Sequence, residues 1–283
     1  MGRSDGIRVR NEVPIYYLIP QFLTERHDSM NMITVDIPVE PLRQYMNAQR
    51  KRGKHISHMA LMLTAYAHVV GEFPTLNRFV INKKIYEHKD LKVSLVVLRS
   101  GVSANDDTMA KLDLSPADTI FDVQDKIDKY IEENAAGAEE NETSIDRIMN
   151  VFVKMGPLMN FVGWLLRFGD KHGLLPQSLL DVSPFHASVL FTNLASIRTN
   201  HVYHHVYDFG TTSISIAMGN MRDTVRRGKG GQVEVVRCIP LGVVMDERIC
   251  NGHYFALAFA RMRELLAHPE ELEKPADTSH QVR

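Results

Sequence analysis

A charged turn between an apolar strand and an amphipathic helix is the stretch of this chain best placed for chemistry. Residues 241–245 form an apolar run typical of a buried strand, and residues 255–266 place apolar side chains at helical spacing before Pro269 ends the helix. The turn between them carries Asp246, Glu247, Arg248, Cys250 and Asn251. Because rigid elements on both sides hold these side chains in place, we expect a functional site there.

Histidines form a second group of residues that could do chemistry. His253 lies at the start of the predicted helix, where it is either a displaced base or a surface or capping residue. His201, His204 and His205 suggest a metal site, but adjacent strand residues point to opposite faces, so His204 and His205 do not readily share one ion. We predict no metal site, with a pairing of His205 and His253 left open as the alternative.

The elements that must position these residues alternate between strands and helices. Ser57 is suited to cap a helix that runs to about Val70, and Gly173 is suited to end a helix at His172. Apolar patterns predict strands at residues 30–37, 79–87, 91–98, 185–193, 202–209, 211–218 and 232–239, with 221–231 as a hairpin connection. Helical spacing predicts further helices at residues 41–53 and 115–133, and from 143 or 144 to a break at 156–157.

This order of elements predicts an α/β fold with a mixed β-sheet and helices packed on it. We expect an irregular N-terminal arm at residues 1–28, one main domain at residues 29–270 and a polar C-terminal tail at residues 271–283. A chain of 283 residues is long enough for a single domain of this class to bury a full core.

Composition excludes several classes of function. The 33 basic and 34 acidic residues give a net charge of -1, so no overall field attracts nucleic acid or a membrane. The start of the chain lacks an apolar signal core, and residues 155–166 fall short of the roughly 20 residues that span a bilayer, so we expect a cytoplasmic protein. That apolar segment is expected to cover the core or a neighbouring subunit, with a membrane interface as the alternative. Two cysteines form no disulfide framework.

Three segments carry a resemblance to a known family. The turn from Asp246 to Gly252 resembles the signature Asp-His-Arg-x-x-Asp-Gly, residues 73–77 (Phe-Pro-Thr-Leu-Asn) resemble a helix exit of the form Phe-Pro-x-Leu-Asn, and residues 189–196 resemble a Phe-Thr-x-Asn-Leu-Gly strand. These are motifs of the chloramphenicol acetyltransferase and 2-oxoacid dehydrogenase acyltransferase family, and the resemblance covers most of residues 14–270. Residues 145–180 depart from the common pattern, and nothing matches a lipoyl domain.

The resemblance implies a two-layer α/β sandwich assembled as a homotrimer, with coenzyme A or an acyl-coenzyme A as substrate and no covalently bound cofactor. In the family a histidine is the general base and a strand hydroxyl stabilises the oxyanion. The matching positions are Glu247 for the base, Asn251 for its supporting aspartate and Thr192 for the hydroxyl. Further binding residues implied for the substrate or coenzyme A are Thr211, Thr212, Ser213, His205, His253, Arg248 and the basic segment 226–231.

Glu247 in place of the catalytic histidine leaves two interpretations open. The pKa of a glutamate, near 4.3, lies roughly 4 units below that of a thiol, near 8.5. Desolvation can raise a carboxyl pKa by about 3–5 units. We therefore predict an acyltransferase with an atypical base, acting on an unknown thiol, amine or hydroxyl acceptor; chloramphenicol is not expected, because the histidine is missing. The alternative is a silent scaffold or small-molecule-binding pseudoenzyme in which Arg248 and Asn251 merely pair with Glu247.

Overall fold

The computed structural model describes residues 3–98, 107–135, 156, 158–228 and 230–282. The strands are β1 (Gly6–Arg8), β2 (Met30–Pro38), β3 (Arg78–Ile81), β4 (Lys84–His88), β5 (Leu91–Leu98), β6 (Asp107–Leu114), β7 (Val189–Asn193), β8 (Ile214–Met218), β9 (Arg222–Arg227) and β10 (Val233–Asp246). The helices are α1 (Pro14–Phe22), α2 (Val39–Lys51), α3 (His58–Glu72), α4 (Ile120–Ala135), α5 (Leu158–His172), α6 (Gln177–Val182) and α7 (Gly252–Ala267).

A seven-stranded mixed sheet organises the chain. Its order is β2-β10-β8-β7-β5-β6, with β9 pairing along the outer part of β10, and a second sheet of order β1-β4-β3 lies beside it. The pairs β5–β7 and β7–β8 are parallel, and the other pairs are antiparallel. The predicted α/β fold with a mixed sheet and helices packed on it is therefore confirmed.

The two faces of the large sheet differ in chemistry. On one face, alternate residues such as Val93, Phe191, Ile216 and Val243 are buried in the core together with apolar side chains of α2, α3, α4 and α7. The opposite face carries small and hydroxyl side chains, such as Ser94, Thr192 and Ser215, and a loop crosses it. Two layers, helices and sheet, thus enclose one core.

Helix α3 shows how local sequence determines the core helix. The Ser57 hydroxyl accepts a hydrogen bond from the Ala60 amide at 3.1 Å, which is the predicted N-cap. The helix is buried on nearly every side, because it lies between the sheet, α4 and α7. Its buried Thr64 is satisfied within the helix by donating to the Ala60 carbonyl at 2.7 Å.

Several predicted elements were wrong in type or extent. The single strand at residues 79–87 is the hairpin β3–β4, whose turn residues Asn82 and Lys83 have φ values of 49° and 59°. The arm at residues 1–28 is not irregular, because it forms β1 and α1. Strand β6 was not predicted, and the connection at residues 221–231 contains β9. The predictions for residues 136–155 and 157 lie outside the described residues.

Residues 202–209 are not a strand but a loop that crosses the polar face of the large sheet. The loop fits because two glycines leave room for its backbone. A Cβ at Gly242 would lie 2.3 Å from the Val202 carbonyl oxygen, and one at Gly219 would lie 2.1 Å from the His201 amide nitrogen. Thr34 on β2 holds the start of the loop through contacts of 3.1 Å to His201 Nε2 and 2.7 Å to the Tyr203 hydroxyl.

Strand β10 is the longest strand and leads directly to the charged turn. Its first part pairs with β9 over residues 233–238, and its second part lies between β2 and β8. Pro240, which has no amide hydrogen, lies between the segments that pair with β9 and with β8. The second part is fully buried, whereas Val233 and Val235 in the first part are 73% and 67% exposed.

Candidate active site

The charged turn is held by a buried ion cluster. Asp246 is fully buried and accepts three hydrogen bonds from Arg248, from Nε at 2.8 Å, from Nη2 at 2.7 Å and from the backbone amide at 3.1 Å. Arg26 Nε lies 3.5 Å from the same carboxylate, and Ser29 Oγ donates to it at 3.2 Å. Burial lowers the pKa of Arg26, and Asp246 opposes that shift. Arg248 is thus paired with Asp246, and not with Glu247 as the scaffold interpretation expected.

Glu247 is the first residue after β10 and is half-buried at the end of the sheet. Its amide donates to the Ser29 carbonyl at 2.8 Å, and its carboxylate accepts a hydrogen bond from Asn31 Nδ2 at 2.8 Å. Asn31 lies on β2, opposite Met245 in the register. The side-chain amide of Asn31 therefore orients the carboxylate of Glu247, a residue that is partly exposed.

Asn31 was missed at the sequence level. The pairing of β2 with the end of β10 brings it to Glu247, and strand register between segments more than 200 residues apart cannot be read from a single sequence.

Asn251 caps helix α7. Its Oδ1 accepts a hydrogen bond from the backbone amide of Tyr254 at 2.9 Å. The backbone amide of Asn251 donates to the Tyr16 hydroxyl at 3.0 Å. The described contacts of Asn251 do not include Glu247. His253 is exposed in the first turn of the same helix. Cys250 is buried, and burial raises the pKa of its thiol, so it is a core side chain and not a thiolate nucleophile.

Thr192 lies on β7, on the polar face of the sheet. It is 8% exposed, and its hydroxyl has no hydrogen-bond partner in the described part of the chain. Ser94 on β5 and Ser215 on β8 share this face, and their buried hydroxyls are unpartnered within the same residues. An unsatisfied buried hydroxyl costs about 1–3 kcal/mol, which favours a bound partner at this surface.

The register separates Thr192 from Glu247 within one chain. Thr192 pairs with Ala217 of β8, and Ala217 pairs with Gly242 of β10, two strands away and five residues before Glu247. With a rise of about 3.3 Å per residue and about 4.8 Å between strands, the two residues lie roughly 19 Å apart. The structure does not bring these two predicted site residues together in a single chain.

The remaining predicted binding residues lie in two places. Thr211, Thr212 and Ser213 are buried where the chain enters β8, and Thr212 Oγ1 donates to the Phe185 carbonyl at 3.1 Å. His205 is exposed on the loop that crosses the sheet. Arg226 and Arg227 are on β9, at the opposite end of β10 from Glu247.

A cavity of about 720 Å³ adjoins the buried ion cluster. Its lining includes Arg26 and Arg248, the β3–β4 turn, the C-terminal turn of α5 and residues 205–209 of the loop. Its volume falls in the range typical of small-molecule sites. Within the described residues, no group of three or more His, Cys, Asp or Glu side chains is arranged to hold a metal ion. No described helix has both the length and the apolar character needed to cross a bilayer.

Comparison with known proteins gives similarity at the level of structure. A probable dihydrolipoamide acetyltransferase from Listeria monocytogenes 4b F2365 superposes with a TM-score of 0.56 at 15% identity, covering 94% of this chain and 96% of that one. The cubic core of the pyruvate dehydrogenase multienzyme complex gives 0.58 at 15% identity, with coverages of 93% and 94%. A chloramphenicol acetyltransferase gives 0.54 at 12% identity, with coverages of 92% and 99%. This chain has the chloramphenicol-acetyltransferase-like fold. No family model and no curated protein matches its sequence.

The chloramphenicol-acetyltransferase-like fold spans nearly the whole chain and nearly the whole of each of these neighbours. The resemblance read from the motifs at residues 73–77, 189–196 and 246–252 is therefore confirmed at the level of the fold. The two chemically active positions of the signature remain substituted, by Glu247 and Asn251.

Proposed function

We propose that this protein is an acyltransferase that moves an acyl group from coenzyme A to a thiol, amine or hydroxyl acceptor, with Glu247 as the general base. The observation that supports this most directly is the position of Glu247. It follows the last residue of β10, its backbone amide is hydrogen-bonded to Ser29, its carboxylate is oriented by Asn31, and it takes no part in the adjacent buried ion cluster.

The proposed chemistry uses two side chains. Glu247 takes the proton of the acceptor, whose sulfur, nitrogen or oxygen then attacks the thioester carbonyl. The tetrahedral oxyanion accepts a hydrogen bond from the Thr192 hydroxyl, which has no partner in the described part of the chain. Collapse of the intermediate breaks the carbon–sulfur bond, and the coenzyme A thiolate takes the proton back from Glu247.

The distance between these residues argues for a site between subunits. At roughly 19 Å, Glu247 and Thr192 of one chain cannot act on the same carbonyl, so Glu247 of one copy would face Thr192 of another. Such a contact would also bury the half-exposed Glu247, and desolvation is the condition under which a carboxylate becomes a stronger base. A homotrimer is the assembly that we propose.

One neighbour is informative about the substituted positions. The structure of an Azotobacter vinelandii dihydrolipoamide acetyltransferase is described as addressing the role of a serine, a histidine and an asparagine in the catalytic mechanism. That histidine and asparagine are four positions apart, which is the spacing of Glu247 and Asn251. By this correspondence Asn251 matches the asparagine, Glu247 stands in place of the histidine, and Thr192 would stand in place of the serine.

The decisive experiment replaces Glu247 with glutamine, which keeps its size and removes its ability to accept a proton. We expect acyl transfer from acetyl-coenzyme A to a panel of thiols, amines and alcohols to be lost, while the oligomeric state by light scattering is unchanged. Glu270→Gln, at an exposed position after α7, is the matched control and should retain activity. Unchanged turnover in Glu247→Gln would refute the assignment of the base.

A silent trimeric scaffold is the second candidate function. The observation in its favour is that Asn251 is engaged as a helix cap, through Tyr254, and is not in contact with Glu247. Calorimetric titration with coenzyme A and acetyl-coenzyme A separates the two functions. Micromolar binding supports the acyltransferase, whereas a trimer that gives no heat at high ligand concentration supports the scaffold.

A further inference from the structure

The cavity beside the ion cluster has an excess of unpaired positive charge. Five guanidinium or ammonium groups and three carboxylates line it. Two of the cations, Arg26 and Arg248, share the buried Asp246. The side chains of the other three cations, Lys83, Arg167 and Lys171, form no ion pair or hydrogen bond within the described part of the chain.

The carboxylates of the lining do little to neutralise these three cations. Asp170 is buried and is engaged by Arg3 at 2.9 Å and by His186 at 3.3 Å. Asp208 accepts hydrogen bonds from the His27 ring at 2.8 Å and from two backbone amides. Glu25 is the one lining carboxylate without such a partner among the described residues. Three unpaired cations therefore face one unpaired carboxylate.

The fold sets the backbone positions of the three cations, whose side chains are exposed. Arg167 and Lys171 are separated by four residues on α5, so they lie on one face of the helix and repel each other. The end of that helix is fixed by Asp170, whose second carboxylate oxygen accepts the Gly210 amide at 3.1 Å. Lys83 reaches the cavity from the β3–β4 turn, where its φ is 59°.

The lining of the cavity includes a buried polar group that is also incompletely satisfied. Arg26 is 2% exposed, and its Nη2 donates to the Val80 and Gly210 carbonyls at 3.3 and 3.1 Å, while Nε makes no hydrogen bond in the described structure. A buried guanidinium below three surface cations favours a ligand that carries more than one negative charge. Phosphate groups suit Arg and Lys donors of this kind.

We infer that this cavity is a binding site for a phosphorylated small molecule, with a phosphomonoester or diphosphate group held by Lys83, Arg167 and Lys171 above Arg26. The site does not depend on the proposed acyl transfer, because none of the four residues is Glu247, Asn251 or Thr192. The phosphate could belong to the nucleotide of coenzyme A or to a free phosphorylated metabolite.

The test is calorimetric titration of the full chain with inorganic pyrophosphate in phosphate-free buffer of low ionic strength. We expect saturable binding of one pyrophosphate per chain that weakens as sodium chloride is added. The double variant R167Q/K171Q should weaken this binding about tenfold or more, which corresponds to about 1.4 kcal/mol. Lys84→Gln is the matched control, because Lys84 is exposed next to Lys83 and does not line this cavity.

Three results would overturn the inference: no saturable binding to the wild-type chain, unchanged binding to R167Q/K171Q, or equal weakening by Lys84→Gln. Lys83→Gln provides a second, independent variant in the event that the double substitution unfolds α5, and thermal melts identify that event. Fluorescence of Trp164, the single tryptophan, reports on the same helix during the titration.

Competition identifies the source of the phosphate. Displacement of pyrophosphate by adenosine 3′,5′-bisphosphate and by coenzyme A would assign the site to the coenzyme A nucleotide. Displacement by ribose 5-phosphate but not by coenzyme A would assign it to a free metabolite. Pyrophosphate binding in a protein that lacks acyl transfer would leave this site standing while the proposed function fails.

Discussion

Removing the charge of Asp246 tests whether the buried ion cluster holds the candidate site together. Asp246→Asn keeps the size of the side chain, and its oxygen can still accept from Ser29. Its amide group, however, brings hydrogen-bond donors against Arg248, whose Nη2 lies 2.7 Å from the wild-type carboxylate, and against Arg26 at 3.5 Å. Both arginines are 2% exposed, so water compensates only poorly for the lost anion.

The size of the effect follows from this burial. Breaking a buried ion pair by removing one partner typically costs about 3–5 kcal/mol, because a charge is left uncompensated. For a domain that is stable by about 5–15 kcal/mol, that loss is a large fraction of the whole. At about 2–4 °C per kcal/mol for chains of 150–250 residues, we expect the melting temperature of Asp246→Asn to fall by roughly 10 °C.

Urea denaturation of four proteins provides the measurement: wild type, Asp246→Asn, Arg248→Met and the double variant. The double variant should be no less stable than Asp246→Asn alone, because it removes one of the two cations that Asp246→Asn leaves without a buried anion. The coupling energy from the four proteins measures the interaction between Asp246 and Arg248. Asp28→Asn, an exposed carboxylate, is the control and should change stability by less than about 0.5 kcal/mol. A free energy of unfolding for Asp246→Asn within 1 kcal/mol of wild type would refute the argument.

Three further predictions concern acid stability, the helix cap and the loop over the sheet. Burial lowers the pKa of His88 to about 4, below its unfolded value of 6.5. The free energy of unfolding should therefore fall as the pH drops from 6.5 towards 4. Urea denaturation of His88→Gln across that range should show a smaller fall than the wild type. Asn251→Ala should cost about 1 kcal/mol by urea denaturation through loss of the α7 cap, whereas Asn251→Asp keeps the cap; equal losses would exclude capping as the cause. Gly242→Ala should cost about 1–3 kcal/mol of stability, because its Cβ would lie 2.3 Å from the Val202 carbonyl oxygen. Gly163→Ala is the control and should not destabilise, because its Cβ would meet no atom within 4 Å. Thermal melts distinguish the two variants, and an unchanged melting temperature for Gly242→Ala would contradict the close approach of the loop to β10.

Local patterns in the sequence were sufficient for the elements whose signals are local. The apolar run at residues 241–245, the helical spacing after Gly252 and the cap at Ser57 each report on a few neighbouring residues, and all three predict the observed structure. The motif resemblance extended these elements to the whole fold, which superposition on solved acyltransferases bears out.

The rest depended on contacts between distant segments. Residues 202–209 alternate like a strand, but the glycines at 219 and 242 admit this segment as a loop over the sheet. The hairpin β3–β4 turns at Asn82 and Lys83, both with positive φ; asparagine tolerates this conformation, but lysine follows it in place of the usual glycine, so the turn signal in the sequence is weak. The separation of Thr192 from Glu247 follows from strand register, and spacing along the sequence does not contain that information.

Strand β10 changes one of its partners at Pro240, from β9 to β8, while β2 pairs with it on both sides of the proline. Pro240 contributes no amide hydrogen between the β9 and β8 pairings, and the outer ribbon is exposed at Val225, Val233 and Val235. The ribbon can therefore open by local fluctuation, with fast amide hydrogen exchange, while residues 241–245 remain in the slowest-exchanging part of the sheet. Glu247 is attached to the slow end, so motion at the far end of its own strand does not reach it.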